Sequence, residues 1–385
     1  MGSRKAERMK PFIAMDVMER AHQIEAGGAD VIHLEIGEPD FDTPGCVVEA
    51  AVQALREGKT HYTDSLGIPA LREAVAADTR ARTGRAVDPG RVIITSGSSP
   101  AMLLLFAMLL EPGDEVILSD PHYACYPNFI TFFDAVPALV PVRAEEGFLL
   151  DPDAVRSRIN RRTRAILINS PANPTGAVLP PDRLAALAAL GPPIISDEVY
   201  HGLVYEGEAR SALEFSEDAY ILNGFSKRYA MTGWRLGYVI VPPESVRAMQ
   251  KLQQSFFISA NSFVQWAGVT ALRKAGSELE GMRATYARRR PLLIDGLRAL
   301  GFGIPVSPTG AFYVFANARH LDPDSRRLGF DLLEHARVGA TPGVDFGPGG
   351  EGFLRFSYSA AEERIREAMG RLDRYLRERG SRRSR

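Results

Sequence analysis

The chain has 385 residues, 45% of them hydrophobic and 24% charged, with a formal net charge of −1. That balance is the balance of a globular protein, and it offers no footing for a nucleic-acid partner or an anionic membrane surface. The length exceeds one ordinary hydrophobic core, so a large domain joined to a smaller one is expected.

Cys46 and Cys125 are the only cysteines. Two in so long a chain make no disulfide framework, which favours a reducing cytosol, and a cytoplasmic protein is expected. No N-terminal segment reads as a secretion signal, and no run approaches 18 uninterrupted apolar residues. Basic residues crowd the C-terminus at Arg377, Arg379, Arg382, Arg383 and Arg385, which reads as a solvated, frayed tail.

In chain order, residues 12–26 form the first predicted helix, with Ile13, Val17, Ala21 and Ile24 near helical spacing. Between 91 and 241 seven short apolar runs recur: Val92–Thr95, Glu115–Leu118, Ala138–Val142, Ala165–Ile168, Ile194–Ser196, Tyr220–Leu222 and Leu236–Val241. Helical stretches such as Ala101–Leu110 and Pro181–Leu190 separate several of them. Strands alternating with helices predict an α/β fold, a mostly parallel seven-stranded sheet with helices on both faces. From about 276 a charged helix (Glu278–Leu300), a turn and strand at Pro308–Val314, a strand at Phe353–Tyr358 and a helix at Glu362–Leu376 predict a smaller α+β domain. The expected division is 1–42, an arm that joins the small domain, then 43–275 and 276–385.

In a doubly wound sheet, ligands sit beyond the carboxyl ends of the strands, and four motifs fall there. Asn223-Gly-Phe-Ser-Lys227 follows a strand directly, and Arg235 stands between Gly233 and Gly237. A lysine that attacks a carbonyl needs a site that depresses its pKa, and an arginine fork suits a phosphate. Asp197, in Ser196-Asp-Glu-Val-Tyr200, closes a second strand; a buried carboxylate there needs a partner, such as a protonated ring nitrogen, although a helix cap is also compatible. Asn173, in Asn169-Ser-Pro-Ala-Asn-Pro-Thr-Gly176, lies in an ordered turn. Thr95-Ser-Gly-Ser98-Ser99 opens a helix and could hold phosphate or simply cap it.

In this order and spacing the motifs resemble the class I/II aminotransferases of the fold-type I enzymes that use pyridoxal 5'-phosphate (PLP). The likeness runs from Ile36-Gly37-Glu38-Pro39-Asp40-Phe41 to Arg355. It implies that Lys227 carries the cofactor as a Schiff base and that Asp197 pairs with the pyridine nitrogen. It implies further that Asn173 and Tyr200 bind the ring oxygen, that Ser98, Ser99 and Arg235 hold the phosphate, and that Ser226 also binds the cofactor. Tyr123, in Pro121-His-Tyr-Ala-Cys-Tyr-Pro127, would stack on the ring. Arg355 would grip the substrate α-carboxylate beside Gly37 and Asn173. Tyr62 would reach the phosphate of a partner subunit in a homodimer. The resemblance also implies cis peptides at Asp120–Pro121 and Asn173–Pro174.

The implied reaction moves an amino group between an L-amino acid and a 2-oxo acid. A neutral or aromatic side chain is expected, because relatives acting on dicarboxylates carry a further basic residue. One type has lysine just after the phosphate-loop glycine, where this chain has Ser98-Ser99-Pro100; another has arginine in a region matching Leu252–Leu272, which contains no Lys or Arg here. A PLP-dependent C–S β-lyase and a non-catalytic regulator binding PLP and an amino acid are the alternatives. A nicotinamide enzyme is disfavoured, since no GxGxxG opens the first crossover. The seven histidines form no HExxH pair or close His/Cys cluster in sequence, so no metal site is expected.

Overall fold

A computed structural model describes residues 2–383, with side chains placed as far as 379. The first long helix, Ile13–Ala26, buries Ile13, Val17, Ala21 and Ile24 on one face, as their spacing requires. It stops at Gly27-Gly28, and the chain returns as a short strand, β1 (Ile32–His33).

The central sheet follows: β2 (Val92–Thr95), β3 (Glu115–Asp120), β4 (Val136–Pro141), β5 (Thr163–Asn169), β6 (Ile194–Asp197), β7 (Tyr220–Gly224) and β8 (Gly237–Ile240). All seven coincide with the apolar runs. Their spatial order is β2-β8-β7-β6-β5-β3-β4. Every residue of β2, β6, β7 and β8 is buried, since helices cover both faces. Pro137 and Pro141 sit on β4, an edge strand, where a missing donor costs no ladder bond. Only β8 runs antiparallel to its neighbours. A loop rather than a crossover helix joins β7 to β8, so the chain must come straight back.

The remaining strands are β9 (Tyr313–Asn317), β10 (Val338–Gly339), β11 (Thr341–Pro342) and β12 (Phe353–Ser357). The order β11-β12-β9 makes an antiparallel sheet, while β10 pairs in parallel with β1. Ile32 and Leu34 thereby enter one core with Leu293, Leu297, Phe356 and Ile365. The last helix runs Glu362–Arg383, longer than expected. Arg379 is anchored to the buried carboxylate of Asp322 at 2.8 Å and Arg377 to Asp373 at 2.9 Å, so the tail is folded at least that far. The side chains of Arg382, Arg383 and Arg385 lie outside the described residues.

Candidate active site

The carboxyl ends of β2, β5, β6 and β7 open onto a cavity of about 570 Å³. Asp197 closes β6, in register with Asn169 at the end of β5. Its Oδ1 accepts the Val199 N–H at 3.2 Å and its Oδ2 the Tyr126 hydroxyl at 2.7 Å. Both donors are neutral, and burial pushes the carboxyl pKa up to about 6. Lys227 acts on this buried acid only through space, and a protonated ring nitrogen would give it a direct cationic partner.

Lys227 stands on the loop after β7, and its Nζ donates to the Gly37 carbonyl. Burial lowers its pKa to about 8; nearby Arg355 and Arg235 push the same way, while Glu38 and Asp197 oppose. The loop is closed at its base by the pairing of Gly224 with Gly237, so Lys227 and Arg235 share one short ribbon.

Arg235 reaches the end of β2. A Cβ on Gly97 (φ +103°) would lie 2.6 Å from the Arg235 guanidinium. One on Gly237 would lie 2.6 Å from the Gly97 carbonyl carbon and 2.7 Å from the Ser98 nitrogen. Two glycines therefore let two backbone segments and a guanidinium converge at the N-terminus of the 12-residue helix Ser98–Leu109. Backbone N–H groups, hydroxyls and an arginine fork make a donor set for phosphate.

Arg355, on β12, is 2% exposed. Its guanidinium donates to Asn173 Oδ1 (2.9 Å), Thr341 Oγ1 (3.1 Å) and the Glu35 carbonyl, all neutral oxygens. Its Nε has no partner, and the group lies 4.4 Å from the Tyr313 ring centre. A buried cation with unused donor capacity suits an incoming carboxylate. Asn173 is held in turn through its N–H to Asn169 Oδ1 at 2.8 Å.

The cavity brings together Gly37, Ser98, Ser99, Tyr123, Asn173, Asp197, Tyr200, Ser226, Lys227, Arg235 and Arg355. Tyr62 is apart from them, 81% exposed on the surface of the single chain. The Asp120–Pro121 and Asn173–Pro174 peptides are cis, and so is Ser170–Pro171, which was not anticipated. Sequence reasoning also missed Tyr126, and Tyr313, whose hydroxyl lies 2.8 Å from that of Tyr200. It missed the wall formed by Phe12, Met15 and Met18 at the start of the first helix. A second tyrosine three residues after Tyr123, at the first position of the helix Tyr126–Phe132, was the available signal for Tyr126.

A family model described as aminotransferase class I and II matches residues 29–372. An aspartate/prephenate aminotransferase of Thermus thermophilus is 42% identical, over 97% of this chain and 98% of its own. The structure of aspartate aminotransferase from that organism with maleate superposes with a TM-score of 0.94 at 41% identity, covering 97% of this chain and 99% of that one. A Methanococcus jannaschii structure, described as similar in its active site to kynurenine aminotransferases, gives 0.90 at 40% identity, covering 98% and 100%.

Proposed function

The chain belongs to the class I and II aminotransferases, enzymes dependent on pyridoxal phosphate, and within that family we propose that it takes amino donors with neutral or aromatic side chains. The supporting observation is the charge of the cavity lining. Its only cationic residues among those described are Lys227, Arg235 and Arg355, and each has a task. The wall beyond them is Phe12, Met15, Met18, Ile36 and Phe129. A distal carboxylate placed against that wall would be desolvated without a partner, at a cost of several kcal/mol. The Methanococcus jannaschii relative is likened to enzymes of an aromatic amino acid, which points the same way.

The assignment of tasks follows from the donors present. Arg235, Ser98, Ser99 and Ser226 would hold the cofactor phosphate; Tyr200 and Asn173 its ring oxygen; Asp197 its nitrogen; Tyr123 its face. When bound, the cofactor takes the amino group at its aldehyde carbon and stores the electron pair left by the departing α-proton. Arg355 fixes the substrate α-carboxylate, beside Gly37. Lys227 Nζ would remove the α-proton and deliver it to the cofactor's own carbon rather than back to the α-carbon. With a pKa of about 8, roughly a tenth of this amine is neutral at pH 7, several hundred-fold more than for a free lysine.

The active unit is proposed as a two-fold homodimer in the cytoplasm, with Tyr62 of each subunit serving the other's phosphate. The exposed position of Tyr62 supports this. No helix among the described residues is long and apolar enough to cross a membrane. We propose domain boundaries at 43 and 276, supported by the way β1 joins the C-terminal core.

A panel of amino donors with a fixed 2-oxo acid acceptor tests the substrate class. The largest kcat/KM is expected for an aromatic or neutral donor, with Lys227→Ala inactive throughout. A maximum for aspartate would overturn the proposal.

A further inference from the structure

We propose that the chain carries a divalent transition-metal site, suited to Zn²⁺, formed by His22, Glu25 and His33. The two histidines are far from any recognised ligand spacing in sequence. The fold nevertheless brings them together, because the helix Ile13–Ala26 ends at Gly27-Gly28 and the chain doubles back as β1. His22 and Glu25 lie a turn apart on the helix, and His33 faces them from the strand. One ligand atom from each lies within 4.8 Å of the others, near the edge of the molecule. The His22 and His33 ring centres are 5.6 Å apart.

What distinguishes the site from a surface cluster is the support behind His33. Its Nδ1 lies 2.7 Å from Glu35 Oε1, and Glu35 is completely buried. A carboxylate on the inner nitrogen fixes the outer one, Nε2, in place, as in carboxylate–histidine–metal arrangements. Nε2 in turn is hydrogen-bonded to Glu25 Oε1 at 3.1 Å, a contact whose proton an ion bound to both atoms would replace, since two ligands of one tetrahedral ion stand about that far apart. Glu35 Oε2 has no partner, and its room exists only because residue 339 is glycine: a Cβ there would fall 1.8 Å from that oxygen. Two imidazoles and a carboxylate, with water completing the shell, favour Zn²⁺ or its first-row neighbours over Ca²⁺ or Mg²⁺. An ion here would pin the C-terminal end of the helix whose first residues wall the active-site cavity. It would also brace the end of β1, two residues before Glu35, whose carbonyl accepts a hydrogen bond from Arg355.

The site can be probed with Co²⁺ in chelator-treated holoenzyme, reading the d–d absorption beyond the cofactor band. One equivalent per chain is expected, displaced by Zn²⁺. His22→Ala, at an exposed position outside the catalytic machinery, should weaken binding at least tenfold and leave basal amino transfer unchanged. Glu35→Gln should weaken it by about 10- to 100-fold. Absence of a stoichiometric Co²⁺ band in the unaltered enzyme overturns the proposal. So does a band of equal strength in His22→Ala and Glu25→Gln, which would place the ion elsewhere, for example on Cys46 or Cys125.

Discussion

Replacing Tyr126 by phenylalanine would delete one hydroxyl and leave the ring, which is 2% exposed and packs edge-on to Tyr123 at 5.2 Å. The hydroxyl donates to Asp197 Oδ2 at 2.7 Å. A hydrogen bond to a charged group contributes about 1.5–3 kcal/mol net, and each 1.36 kcal/mol is tenfold in rate. If that energy supports the hold of Asp197 on the protonated ring, kcat/KM should fall between about 10- and 150-fold. The same bond favours the ionised form of Asp197, against the burial that raises its pKa to about 6. Without it the pKa climbs further, so the acidic limb of the kcat/KM profile should move to higher pH. Single-turnover absorbance of the donor half-reaction, followed from pH 5 to 9, reads both effects. Thermal unfolding of the holoenzyme separates them from a general loss of structure. An unchanged rate together with an unchanged acidic limb would refute the role.

Gly237→Ala drives a Cβ into the backbone of Gly97 and Ser98 at 2.6–2.7 Å, where neither can yield cheaply. Cofactor affinity in an absorbance titration should drop at least tenfold, and wild-type affinity would disprove the tight cradle. In the cofactor-free protein, Asp197 (raised from 3.8 to about 6) and Lys227 (lowered from 10.5 to about 8) both disfavour their charged forms. The Asp197 penalty is absent below pH 3.8 and complete above 6; the Lys227 penalty is absent above 10.5 and complete below 8. Each is on the order of 3 kcal/mol at pH 7. Asp197→Asn should therefore raise the apo unfolding midpoint at pH 7.5 and raise it less at pH 5; an equal rise at both would contradict the shift. Mixed dimers of Lys227→Ala with Tyr62→Asp should regain roughly a quarter of wild-type activity, since half of randomly assorted dimers hold one intact site of two. Verified mixed dimers as inactive as their parents would mean that Tyr62 acts within its own subunit or not at all.

The central sheet was legible because strands covered on both faces are written as continuous apolar runs; Ile194-Ile195 and Tyr220-Ile221-Leu222 carry little polar relief. The residues at strand ends, Asp197, Asn173 and Lys227, were legible through spacing to those runs. Tyr313 was not, because its partner Tyr200 is 113 residues away in the sequence and no local pattern joins them. The Phe12–Met18 wall looked like any amphipathic helix, since periodicity reports a buried face without saying what buries it. Nor could spacing show His22 meeting His33, which depends on a reversal at two glycines. Tyr62 is legible only by resemblance: within one chain it touches nothing at the site.

The closed ribbon between β7 and β8 acts as a fixed gauge. The distance between the amine at Lys227 and the guanidinium at Arg235 is set by one hydrogen-bonded loop, and Arg355, the proposed substrate clamp, is mounted on the other sheet. Any change in the angle between the two sheets would carry Arg355, and with it the proposed site for the substrate carboxylate, while both proposed attachment points for the cofactor stayed in calibration. Insertions or deletions within 225–236 would alter the gauge itself, so length variation should be tolerated in the walls of this site long before it is tolerated there.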